Sequence, residues 1–145
     1  MQIVVSSRDR VKNYIQEEEH AVISIRDPEG EKATFPPNPC RIAVLYLKFH
    51  DWDDKQKIKF EVFYEESAKQ MIFFSKKDAK RIVKFVKKYQ HLSLLICQCE
   101  AGISRSAGVA AALNKCINGS DEYYYKNYVP NSLVYRMVMN AWMEV

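Results

Sequence analysis

The sequence contains no apolar run of eighteen residues and nothing at Met1-Gln2-Ile3 that reads as a secretory signal, so neither a transmembrane helix nor an export leader is expected. A cytoplasmic location is the default that follows. There is no low-complexity tail, and the formal net charge is only +4, which argues against a nucleic-acid or membrane partner. Cysteine is sparse: of four, at 40, 97, 99 and 116, only the Cys97-x-Cys99 pair is close. That spacing suits neither a disulfide framework nor a zinc knuckle, so no metal and no other cofactor is expected. What is present is a chain of 145 residues, 48% hydrophobic, with nine tyrosines and seven phenylalanines. It suffices for one core, and a single domain over 1–145, monomeric, is expected.

The apolar pattern alternates between strand and helix. Gln2-Ile3-Val4-Val5 reads as a short strand, after which Ser7 can cap a helix expected to reach Glu18, with Val11, Tyr14 and Ile15 on one face. Ala21 to Ile25 is a second strand. The proline-rich Phe35-Pro36-Pro37-Asn38-Pro39 excludes regular structure, and Ile42 to Phe49 then reads as a largely buried strand. Ser75 caps a helix to Tyr89 with Ala79, Ile82, Val83 and Val86 inward and a face of lysines and arginines outward, read as solvated surface. Asp121 to Tyr128 is a short aromatic segment. A last helix begins at Asn131 or Ser132, with Leu133, Val134, Met137, Val138 and Ala141 inward. Such alternation argues for α/β layers.

One stretch carries chemistry: Cys99-Glu100-Ala101-Gly102-Ile103-Ser104-Arg105-Ser106. The apolar run Leu92 to Cys97 leads in and the small-residue run Ala107 to Leu113 leads out, so the context is strand, tight loop, helix. A loop of this kind can turn successive backbone N–H groups inward as an anion nest, backed by the positive end of the helix. The segment Glu100, Ala101, Gly102, Ile103, Ser104 and Arg105 is therefore a candidate phosphate cradle. Gly102 suits a backbone position needing positive φ. Arg105 can return its planar fork to two phosphate oxygens, which lysine could not reproduce. The same donors favour a thiolate at Cys99, making it a candidate nucleophile.

These residues resemble the signature loop of the cysteine-dependent protein tyrosine phosphatases, and the Ala-Gly-Ile-Ser-Arg-Ser run is similar to that of the dual-specificity branch. The resemblance implies a central, mostly parallel sheet flanked by helices on both sides, with the site at the carboxyl ends of the strands. It implies that Cys99 attacks phosphorus, Arg105 holds the equatorial oxygens and the Ser106 hydroxyl stabilises the thiolate leaving a phosphocysteine intermediate. One position departs from the pattern: Gln98 stands where the family usually has histidine. Cys97, two residues before the nucleophile, is placed either to resolve an oxidised Cys99 or to fill the core.

The family mechanism also needs a general acid for the leaving oxygen. The polar loop His50-Asp51-Trp52-Asp53-Asp54 follows the Ile42–Phe49 strand, and in relatives the acid lies just after such a strand. The alternation of Leu47 and Phe49 resembles the one that runs into the acid in the dual-specificity branch, and this resemblance makes Asp51 the first choice. Asp54 is its rival, because tryptophan followed two positions later by aspartate resembles the acid loop of the larger tyrosine phosphatases. Asp51 lies 48 positions before Cys99, a longer separation than the family's usual one, which implies an insertion. Within it Lys57 to Tyr64 alternates Ile58, Phe60, Val62 and Tyr64 as a half-buried strand would, with Met71-Ile72-Phe73-Phe74 as its partner or a docking segment.

The function expected is hydrolysis of phosphomonoesters, first of protein phosphotyrosine and then of phosphoserine or phosphothreonine, in a phosphorylated protein or peptide. The loop carries Glu100 and Ile103 where phosphoinositide phosphatases tend to have lysines. Two alternatives stay open: a phosphate-binding interaction module without turnover, and an RNA 5′-phosphatase of the same fold.

Overall fold

The computed structural model describes the backbone of residues 1–63 and 71–144 and the side chains of 1–59 and 71–144. Four strands form one sheet: β1 (Gln2–Ser7), β2 (His20–Arg26), β3 (Arg41–Lys48) and β4 (Leu94–Cys99). Their order is β1-β4-β2-β3 and every pairing is parallel. All four strands therefore end on the same side, and the segments leaving β2, β3 and β4 emerge together there. That convergence builds the site.

The helices are α1 (Arg8–Val11), α2 (Asp54–Phe63), α3 (Lys76–Tyr89), α4 (Arg105–Asn118), α5 (Glu122–Asn127) and α6 (Ser132–Glu144). The main core joins Ile3, Val5, Ala21, Ile23, Ile25, Leu47 and Leu95 of the strands to the inward residues of α3, α4 and α6. The reverse face of the sheet, with Val22, Leu94 and Ile96, is closed by Tyr14 and Phe35 from the connecting segments. Alternating residues of each strand thus supply two cores. β4 is buried along its whole length, which explains its unbroken apolar run. No helix among the described residues is long and apolar enough to cross a membrane.

Helix α3 follows its sequence signals closely. Ser75 Oγ accepts the Asp78 N–H while the Asp78 carboxylate accepts the Ser75 N–H, a capping box contributing about 1 kcal/mol. Ala79, Ile82, Val83 and Val86 are buried as their spacing requires. In α4, the helix leaving the signature loop, small residues let α6 come close. A Cβ on Gly108 would lie 2.9 Å from the Asn131 carbonyl oxygen, so glycine sets that approach.

Three expectations change, and one left between two alternatives is resolved. The helix capped by Ser7 stops at Val11 instead of reaching Glu18, and Ile15 is exposed. The Gln16 and Glu17 carbonyls accept bonds from Asn38 Nδ2 and Cys40 Sγ, so they serve the connection to β3 and not a helical ladder. The expected strand at 57–64 is helical through Phe63 as α2, and Tyr64 lies outside the described residues. Asp53 caps this helix: its carboxylate accepts the Gln56 N–H at 2.8 Å, and Gln56 Oε1 accepts the Asp53 N–H at 3.0 Å. Of the two readings of Met71 to Phe74, strand partner or docking segment, the second holds: it packs against the loop after β3, where Ile72 exchanges bonds with His50 and the Phe74 ring lies 4.8 Å from Phe49. Finally, β3 is an edge strand, half-buried along most of its length, so its apolar run does not mark complete burial.

Candidate active site

The loop from Cys99 to Ser104 connects the buried end of β4 to the first turn of α4. Gly102 has φ +68°, and a Cβ there would lie 2.8 Å from the Ser6 carbonyl and the Ser7 nitrogen at the end of β1. Positive φ and close approach both demand glycine at this point. The turn brings the Gly102 N–H to 3.3 Å from Cys99 Sγ, and the Ser106 hydroxyl lies 3.0 Å from the same sulfur. Cys99 and Ser106 are both buried. A backbone N–H and a hydroxyl therefore converge on the sulfur.

Gln98, the position that departs from the expected pattern, is buried. Its Nε2 donates to the Cys99 carbonyl at 2.9 Å, and its Oε1 accepts the Ser24 hydroxyl from the facing residue of β2. Both ends of the amide are satisfied, and the strand end is locked to its neighbour. Cys97 is buried completely, and that burial, with Cys99 nearby, pushes its thiol far above the ordinary range. It is a neutral core group.

Arg105 is almost completely buried at the first position of α4. One terminal nitrogen, Nη1, donates to Asp27 Oδ1 at 2.7 Å and to the Phe49 carbonyl at 2.9 Å. These partners lie just beyond the ends of β2 and β3, so two strand ends meet on one guanidinium. Among the described residues, Arg105 Nε is the one buried side-chain nitrogen or oxygen without a hydrogen-bond partner. A buried orphan donor on a cation is costly unless something occupies it.

The two candidate acids part company. Asp51 Oδ1 accepts the Ser104 hydroxyl at 2.8 Å and Asn131 Nδ2 at 2.9 Å, which places it beside the loop. Asp54 instead receives Arg136 through Nη2 at 2.8 Å and Nε at 3.3 Å, and its N–H donates to Ser132 Oγ. It begins α2 and ties that helix to α6. Asp53 is the cap already described. The loop side chains themselves divide: Glu100 pairs with Arg8 at 3.8 Å, Ile103 is exposed, and Ser104 supplies the link to Asp51.

Three residues that bond to the candidate site residues were not assigned to the site from sequence. Asp27 orients Arg105, and Asn131 holds Asp51 while its own Oδ1 caps α6 through the Val134 N–H at 3.1 Å. Arg8 bonds the carbonyls of Glu31 and Lys32 and pairs with Glu100, bracing the loop from outside. Asn131 carried a legible signal as a helix cap, but nothing local pointed to its second role. Asp27 and Arg8 carried none.

No family model matches the sequence, and no curated protein matches it. Solved structures do. PTPMT1 in complex with PI(5)P superposes with a TM-score of 0.57 at 15% identity, over 97% of this chain and 88% of that one. A second PTPMT1 structure gives 0.51 at 16% identity, over 97% and 87%. Human DUSP28 gives 0.50 at 11% identity, over 98% of this chain and 92% of that one. The chain therefore has the α/β fold of dual-specificity phosphatase structures, the one that its signature loop led us to expect.

Proposed function

We propose that this chain, with a dual-specificity phosphatase fold and an intact cysteine and arginine loop, is a phosphatase acting on phosphorylated proteins through a phosphocysteine intermediate. The observation that carries the reading is one loop that begins at a cysteine sulfur facing the Gly102 N–H and the Ser106 hydroxyl and ends at a buried arginine whose Nε has no hydrogen-bond partner. A thiolate and an orphan guanidinium donor at one loop are what an incoming phosphoryl group requires. Phosphotyrosine is the leading substrate, with phosphoserine and phosphothreonine next.

In the reaction Cys99 Sγ forms a bond to phosphorus as the bond to the leaving oxygen breaks, and Arg105 stabilises charge on the equatorial oxygens. Asp51 gives its proton to the leaving oxygen. Both donors to Asp51 use Oδ1, so Oδ2 is the oxygen available to carry that proton. Water then attacks phosphorus, Asp51 takes up a proton from it, and the Ser106 hydroxyl stabilises the departing thiolate. Phosphate leaves and the enzyme is restored.

Hydrolysis of a generic aryl phosphate by wild type and Cys99→Ser, without added metal and again with EDTA, tests the reading. Wild type should turn over with or without the chelator, and the serine variant should not, because its hydroxyl is not ionised in the same cradle. Activity in Cys99→Ser within about tenfold of wild type would remove the covalent mechanism. Tight phosphopeptide binding with no phosphate release from wild type would replace the enzyme with a binding module.

A further inference from the structure

Strand β3 forms one edge of the sheet, and no described strand pairs with its outer side. Alternate residues of a parallel strand direct their main-chain groups to opposite sides. Phe49 N–H bonds inward to the Arg26 carbonyl, whereas the Tyr46 carbonyl is reached from outside by Arg81 Nη2 at 3.3 Å. The main-chain groups of Val44, Tyr46 and Lys48 therefore face outward. Open edges of this kind accept an extended peptide as an added strand.

A groove of about 720 Å³ runs along this edge, and its charge is one-sided. Its walls carry Arg26, Lys32, Lys48 and Arg81 against one acid, Asp78. That carboxylate already accepts the Ser75 N–H and hydroxyl and lies 3.9 Å from Arg81. Tyr46 shares the reverse face of the strand with Val44, and Lys32 Nζ sits 4.4 Å over its ring, while Arg81 comes from α3 on the helical face. Cations thus flank the same strand edge from both faces. The floor includes the apolar Phe73.

The groove also leads to the reacting centre. Arg26 precedes Asp27, and Lys48 precedes Phe49, the two residues whose oxygens hold Arg105 Nη1. A chain lying along β3 toward the carboxyl ends of the strands arrives at the loop. We propose that this groove docks an extended acidic segment of the phosphoprotein substrate, contiguous with its phosphorylated residue. The inference rests on the phosphatase reading above and deepens it, since it assigns a substrate class to the same site. Main-chain groups of the edge would supply general affinity, and the four cations the preference for Asp and Glu around the phosphoresidue.

The test uses the full chain, a small aryl phosphate, and two phosphotyrosine peptides of equal length, one flanked by glutamates and one by lysines. Wild type should show a KM about tenfold lower for the acidic peptide at similar kcat, the size expected of several exposed charge contacts acting together. The advantage should fade as salt is raised. Lys32→Glu/Lys48→Glu changes two exposed side chains and should invert the preference toward the basic peptide, leaving aryl phosphate turnover unchanged. Equal KM for both peptides, or an acidic preference that survives the charge reversal, overturns the docking inference while the phosphatase reading stands. If aryl phosphate is not hydrolysed, that reading fails, and fluorescence anisotropy of the two peptides on Cys99→Ser decides the groove separately: equal affinity overturns it. A 5′-phosphorylated single-stranded RNA that displaces the acidic peptide better than the same peptide without phosphate overturns it in favour of nucleic acid.

Discussion

Asp51 accepts the Ser104 hydroxyl at 2.8 Å, which joins the loop after β3 to the last residue before α4. The same carboxylate oxygen accepts Asn131 Nδ2 at 2.9 Å from the start of α6. Two elements distant in sequence therefore fix one oxygen of the proposed acid.

Asp51→Asn should lower turnover of a phosphotyrosine peptide by roughly 10²–10⁴-fold, the usual contribution of general acid catalysis. The loss should shrink with an aryl phosphate whose phenol is already acidic, because protonation then matters less. Asp54→Asn should be mild in rate and show no such dependence, since Asp54 holds Arg136. If the leaving-group signature appears in Asp54→Asn and not in Asp51→Asn, the assignment is reversed.

Asp27→Asn keeps the shape of the Arg105 partner and removes its charge. Asp27 is partly exposed, so the pair is screened and the effect moderate. The inhibition constant of vanadate should rise about tenfold, with kcat/KM falling in parallel, as Arg105 loses a charge-assisted anchor. An unchanged vanadate constant would show that the Phe49 carbonyl alone suffices to aim the guanidinium.

The chemistry-bearing loop was legible because nucleophile, turn glycine, arginine and helix start are consecutive, and each residue type has a local physical reason. The position of Asp51 beside the loop was anticipated only through the resemblance of the Leu47 and Phe49 alternation to the dual-specificity branch. Asp27 was not, because a carboxylate after a strand gains meaning only when parallel pairing brings β2 beside β4. Asn131 reads as a cap, and its grip on Asp51 depends on how α6 docks. The misreading of α2 had a different cause. Ile58, Phe60 and Val62 alternate as in a strand, but Asp53 and Gln56 form a reciprocal cap that decides for helix. The early stop of α1 reflects tertiary bonds to Gln16 and Glu17, which no local rule could supply.

Gly102→Ala separates strain with collision from strain alone. The methyl group would meet backbone at 2.8 Å in a conformation that alanine avoids, so the loop must shift away from β1. Turnover should fall at least about hundredfold, with a stability loss of about 1–3 kcal/mol. Gly119 also has positive φ, +88°, but a Cβ there meets nothing within 4 Å. Gly119→Ala should cost about 1 kcal/mol of stability and leave kcat/KM intact. Equal activity losses at the two positions would mean that backbone strain, not contact with Ser6 and Ser7, governs the loop.

Two buried protons, on Tyr124 and Cys97, contribute to the behaviour of the fold in alkali. Burial, reinforced by neighbouring Cys97, pushes Tyr124 above its ordinary 10.0, and its hydroxyl donates to the Ile3 carbonyl at 2.6 Å. Burial and the proximity of Cys99 push Cys97 above its ordinary 9.0. Each group holds its proton longer in the folded chain than in the unfolded one. The resulting stabilisation is complete below the ordinary values and is lost as pH climbs from them toward the raised ones. The thermal midpoint should therefore be flat near neutrality and decline above about pH 9, where the unfolded thiol begins to ionise. Tyr124→Phe removes one of the two protons and the bond to Ile3. It should start about 1 kcal/mol less stable at pH 7 and decline less steeply above pH 10. An alkaline slope identical to that of wild type would show that Tyr124 ionises without unfolding the chain.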